Sequence, residues 1–91
     1  MIENKHLKII QALHIHGTLT EAANALFLTQ SALSHQISHL EKKLEAKLWE
    51  REGRNLRLTQ AGEVLLKTAQ QILPVIEQTE MTLKAYGEGR Q

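Results

Sequence analysis

The stretch Thr29-Gln30-Ser31-Ala32-Leu33-Ser34-His35-Gln36-Ile37-Ser38-His39-Leu40-Glu41-Lys42-Lys43-Leu44 decides the fold. Leu33, Ile37, Leu40 and Leu44 are spaced four, three and four apart, so at about 100° per residue they form one narrow apolar stripe on a helix. Ser31, His35, Ser38 and Lys42 lie opposite, flanked by Ser34 and His39. From Gln30 through Leu40 there is no Glu, Lys or Arg. A solvated helix face ordinarily mixes those charges. This face instead offers groups that both donate and accept hydrogen bonds. Thr29 is placed as the N-cap, and the spacing predicts a helix over about 30–46.

On the N-terminal side, Leu7, Ile10 and Leu13 share one face of a helix predicted over about 4–15, which Gly17 can end. Thr20 is placed as the cap of a short helix over about 21–27 that turns Ala22, Ala23 and Leu26 inward. On the C-terminal side, Leu48-Trp49-Glu50-Arg51 and Leu56-Arg57-Leu58-Thr59 flank the turn residues Glu52-Gly53-Arg54-Asn55. They predict a small β-hairpin carrying three arginines. Arg51 can pair with Glu50 or Glu52 there, and segment 50–57 nets only +1. Thr59 caps a last helix over about 60–86. In it Leu65, Ala69, Ile72, Ile76, Thr79, Leu83 and Tyr86 repeat in a four–three pattern, a heptad seam along roughly 40 Å. A body this small cannot cover that length, so part of the seam needs a second chain. Pro74 removes one hydrogen bond of that helix and is expected to kink it.

The order helix, helix, helix, hairpin, long helix defines a mainly α winged helix-turn-helix of three helices plus a short β-hairpin wing. Residues 1–59 read as the DNA-binding domain and 60–91 as a linker/dimerisation helix and tail. Double-stranded DNA suits these parts. A helix with short polar side chains fits the major groove, hydroxyls suit phosphate oxygens, and an arginine-bearing turn suits the backbone or minor groove.

Composition narrows the alternatives. The 91 residues contain no cysteine, and all ten acidic residues are glutamate. Disulfides, zinc–thiolate sites and cysteine nucleophiles are excluded. No apolar leader or membrane-length run is present, which predicts a cytoplasmic protein with no membrane partner. His35 and His39 have the spacing of two metal ligands, but the run lacks the glutamate of His-Glu-x-x-His and a third ligand, so no metal site is expected. His14 and His16 lie two apart, fitting a helix C-terminus rather than a shared face. No nucleophile–base pair or phosphate loop is visible, and no enzymatic activity is expected. The net charge of +1 leaves one competing reading, a helical protein-interaction or dimerisation module without sequence-specific DNA readout.

Leu19-Thr20-Glu21-Ala22-Ala23 with Leu26, then Thr29 through Ile37, resembles the N-terminal signature of LysR-type transcriptional regulators. Leu40-Glu41, Leu44, Leu48-Trp49-Glu50-Arg51, Arg54 and Leu58-Thr59-Gln60-Ala61-Gly62 continue it in register over nearly the whole chain. Gln30 to Gln36 and Leu73-Pro74 most resemble the branch that activates methionine biosynthesis. The resemblance implies a dimer on an interrupted palindrome, held by the linker helix through Leu65, Ala69, Ile72, Ile76, Thr79 and Leu83, with higher oligomers in a full-length protein. It implies DNA contacts by Thr18, Thr29, Gln30, Ser31, Ser34, His35, Ser38, Arg51 and Arg54. Ser31 and His35 stand where family members often carry proline and arginine. Because imidazole ordinarily titrates near pH 6.5, DNA affinity is expected to rise on acidification. The resemblance further implies a larger C-terminal effector domain, absent from this chain. Homocysteine would be the effector there, and no cofactor is expected here.

Overall fold

The computed structural model describes residues 2–89. Its elements are α1 (Asn4–His16), α2 (Leu19–Ala25), α3 (Gln30–Leu44), β1 (Trp49–Glu52), β2 (Asn55–Leu58) and α4 (Gln60–Gly87). The helix-turn-helix, the wing and the long helix therefore all form. The molecule measures 50 × 24 × 19 Å, its long axis reflecting the 28 residues of α4.

Helices α2, α3 and α4 each begin at a threonine cap. The first cap differs from the expected one: Thr18 rather than Thr20 opens α2, its Oγ1 accepting the Glu21 N–H at 3.2 Å. Thr18 has extended backbone and stands three residues before Glu21, whereas Thr20 already lies within the helix. Thr29 Oγ1 accepts the Ala32 N–H at 3.0 Å and opens α3 as expected. That helix ends at Leu44 rather than at 46, because Glu45 turns left-handed at φ 55° and the Ala46 N–H reaches back to the Glu41 carbonyl.

Between α2 and α3 the chain makes a Schellman end. Leu28 N–H bonds the Ala23 carbonyl and Phe27 N–H bonds that of Asn24. This geometry puts Phe27 in the left-handed region, φ 58°, with its ring 96% exposed.

The core lies between α1, α2, α3 and the first half of α4. Ile10, Leu13, Leu33 and Leu73 are its largest fully buried side chains, and Ala22 and Ala23 let α2 approach closely. Leu65, Leu66, Ala69 and Leu73 of α4 belong to this one core. The expected division at residues 59 and 60 is therefore not a division of the packing. α4 completes the domain before it leaves it.

The wing is an antiparallel pair with Trp49 opposite Leu58 and Glu52 opposite Asn55. Gly53 has φ 64° and Arg54 a negative φ, the sign pattern of a two-residue II′ turn. Three contacts tie the wing down. Leu56 N–H donates to the Gly17 carbonyl at 2.8 Å. Leu48 N–H donates to Glu41 Oε2 at 2.7 Å. Thr59 hydroxyl donates to the Lys47 carbonyl at 2.6 Å while its oxygen caps α4 at Gly62 N–H.

Candidate nucleic-acid interface

The apolar stripe of α3 is spent on the core: Leu33, Ile37 and Leu40 are buried. Its opposite face is free. Gln30, Ser31, His35 and Ser38 are exposed, and Ser34 is half-buried. The first turn of α3 contains no acidic residue, so the positive end of its backbone dipole is not neutralised locally. Thr29 Oγ1 and Thr18 Oγ1 each accept one cap bond and keep a hydroxyl proton that can be given to a phosphate oxygen. The His35 and His39 rings stack at 6.3 Å between centroids, inclined by 18°. Among the described residues no cluster of three metal-ligating side chains forms.

The wing arginines separate into distinct roles. Arg57, not Arg51, takes the glutamates: it bridges Glu50 Oε2 at 3.1 Å and Glu52 Oε2 at 3.3 Å. Arg51 instead lies over the Trp49 ring, 5.7 Å from its centroid. Arg54 is exposed at the tip of the hairpin. Ser38 of the α3 polar face and Arg51 of the wing line one cleft, and among the described residues neither Arg51 nor Arg54 is paired with a carboxylate.

The expected dimer seam is corrected at its start. Leu65 and Ala69 are buried within a single chain, at 6% and 0% exposure, so they have no surface left to give a partner. Ile72, Thr79 and Leu83 remain exposed, and Ile76 is half-buried. A second stripe runs roughly 100° around the helix from the core-facing one: Thr68, Ile72, Val75, Thr79, Thr82 and Tyr86, spaced four, three, four, three and four, with Val64 and Leu83 beside it. All of these are exposed. The three threonine hydroxyls donate back to the Val64, Val75 and Gln78 carbonyls at 3.4, 2.8 and 3.0 Å. With their polar hydrogens spent inside the helix, they leave methyl groups to line the stripe. Thr68, Val75 and Thr82 of this exposed stripe lie outside the expected seam. Their heptad spacing was the available signal, but the stronger Leu65–Ala69 signal beside it masked them.

A bundle of three helices, an outward polar α3 and a cation-tipped hairpin define the winged helix-turn-helix class. A family model described as bacterial regulatory helix-turn-helix protein, lysR family, matches residues 4–63. The chain belongs to that family. It is 50% identical over all 91 residues to the HTH-type transcriptional regulator MetR of Escherichia coli K12 and spans 28% of that protein's length, so it covers under a third of such relatives. Its fold matches the BenM DNA-binding domain solved with catB site 1 DNA, with a TM-score of 0.87 and 30% identity over 99% of this chain and 100% of that one. The CbnR DNA-binding domain solved with DNA gives 0.80 and 30% over 94% and 99%. Among the described residues no helix is long and apolar enough to cross a membrane.

Proposed function

We propose that this chain is the sequence-specific DNA-binding part of a transcription regulator and that it reads double-stranded DNA as a homodimer. The observation that carries this is the α3 face. Gln30, Ser31, His35 and Ser38 stand exposed with no carboxylate beside them in the first turn, where base edges require donors and acceptors rather than fixed charge. Thr18, Thr29, Ser34, Arg51 and Arg54 supply phosphate contacts around it. The fold shared with two domains solved on DNA supports the reading. The similarity to MetR proteins favours genes of methionine biosynthesis as targets. The dimer forms through the outer stripe of α4, from Thr68 to Tyr86, where a second copy of the same stripe would cover Ile72, Val75 and Leu83.

Selection from a random duplex pool at near-physiological salt tests this. An interrupted palindrome should be enriched, and its spacing should report the dimer. Val75→Glu should leave the fold intact and shift sedimentation from dimer to monomer. No enrichment by protein shown to be folded would instead favour the interaction-module reading.

A further inference from the structure

The wing holds three arginines and two glutamates, and the hairpin sorts them by face. Side chains alternate along each strand, and the register sets Glu50 opposite Arg57 and Arg51 opposite Leu56. Glu50, Glu52, Asn55 and Arg57 therefore share one face, and Trp49, Arg51, Leu56 and Leu58 the other. Leu56 and Leu58 pack on the core, so the glutamates look outward. Between β1 and α3 runs a cleft lined by Ser38, Glu41, Lys47, Trp49, Glu50 and Arg51. Both acids on this cleft are engaged within the protein: Glu41 Oε2 accepts the Leu48 N–H, and Glu50 Oε2 accepts from Arg57. Among the described residues Lys47 and Arg51 have no carboxylate partner. Arg51 is steadied by the Trp49 ring, an arrangement that limits its rotamers without consuming its donors.

On the DNA-binding reading proposed above, we propose that Arg57 is a positioning residue rather than a DNA ligand. It serves as the internal counter-ion to Glu50, which lines the α3–β1 cleft, and to Glu52, so that a backbone phosphate enters that cleft at Lys47 and Arg51 beside a neutralised carboxylate. Were Arg57 itself to bind phosphate, it would release two carboxylates beside the same polyanion. A phosphate seated at Lys47 and Arg51 leaves both carboxylates paired. Trp49 acts through Arg51, presenting its guanidinium toward that cleft.

The test is salt-titrated DNA binding, by fluorescence anisotropy, on the duplex that selection enriches, with circular dichroism to show that each variant folds. All the substituted charges are exposed, so folding should survive. Arg51→Gln and Lys47→Gln should each lower the log–log salt slope by about 0.9, the loss of one phosphate contact. Arg57→Gln should weaken binding roughly three- to tenfold with the slope unchanged, because two bare carboxylates then face the DNA backbone. Glu50→Gln and Glu52→Gln added to Arg57→Gln should restore the parent affinity to within about twofold. Trp49→Leu should weaken binding in the parent but not in the Arg51→Gln background, a coupling that a purely structural tryptophan would not show.

The assignment is overturned if the triple variant stays as weak as Arg57→Gln with a slope lower by about 0.9, since Arg57 would then itself hold a phosphate. It is equally overturned if Arg57→Gln binds like the parent, or if neither Arg51→Gln nor Lys47→Gln moves the slope. A folded parent that binds no duplex at all overturns the DNA reading and this assignment together, and so is distinguishable from a failure at the wing alone.

Discussion

Replacing Gly62 by alanine sets two opposed effects against each other, and the structure says which wins. Gly62 lies in the first turn of α4, where alanine is the better helix former by up to about 1 kcal/mol. A Cβ there, however, would run into the Leu48 carbonyl oxygen, with the Leu48 carbonyl carbon at 3.1 Å and Leu58 Cβ at 3.2 Å. The obstacle is backbone, not the free end of a side chain, so α4 or the base of the wing must move. Such overpacking costs about 1–3 kcal/mol. The same Leu48 oxygen accepts the Thr59 N–H at 3.1 Å, and losing that bond adds about 1 kcal/mol. The Thr59 cap on Gly62 N–H is strained as well, at up to about 1 kcal/mol more. The balance is a loss of about 2–4 kcal/mol, a fall in Tm on the order of 10–30 °C for a domain of this size. Thermal unfolding followed by circular dichroism at one fixed protein concentration measures it. Gly87→Ala in the same helix is the control. Nothing lies within 4 Å of its Cβ position, so it should hold or raise the Tm. A Gly62→Ala protein as stable as the parent would refute the close approach of α4 to Leu48.

Four further outcomes are expected. Leu73→Ala should destabilise the domain by about 2–5 kcal/mol in urea unfolding, whereas the exposed neighbour Gln71→Ala should stay within about 0.5 kcal/mol. Phe27→Asn should raise stability by up to about 1 kcal/mol, because asparagine tolerates the left-handed turn and the lost ring was 96% exposed; a fall would mean the ring packs in solution. Burial pushes the His6 imidazole below its ordinary pKa of 6.5, with Lys5 and Lys43 acting in the same direction and Glu3 opposing. The unfolded chain therefore binds the extra proton first, so stability is full above pH 6.5 and falls as the pH drops through it. Urea midpoints at pH 7.5 and 5.5 should differ for the parent and differ less for His6→Gln, which cannot take up that proton. His35→Ala should weaken binding to the selected duplex by about 1–3 kcal/mol at one fixed pH and salt; an affinity equal to the parent's would remove His35 from the DNA contact.

Much of this protein is determined by the chain order alone. The four-three-four spacing of Leu33, Ile37, Leu40 and Leu44 makes one face of α3 apolar and the other polar whatever surrounds it, because helical geometry assigns faces by residue number. Thr29 and Thr59 cap their helices through bonds to residues three positions on. Gly53 selects the hairpin turn by the left-handed conformation it alone accepts cheaply. These are local interactions, so the helix-turn-helix, the wing and the exposed polar face of α3 were legible from residue order.

What the tertiary structure decided is how groups competing for several partners are allotted. α4 carries two apolar stripes, and nothing local says which one the body takes. Packing against α1 claims Leu65, Ala69 and Leu73 and leaves Thr68, Val75 and Thr82 outside. Arg51 sits next to both Glu50 and Glu52 in sequence, whereas Arg57 lies several residues further on. The antiparallel register sets Arg57 across from Glu50 and on one face with Glu52, while the pleat turns Arg51 to Trp49. Glu41 looks like one more helix-surface acid until the chain returns, seven residues on, with the Leu48 N–H. In each case the outcome depends on distances between segments, which spacing along the chain does not carry.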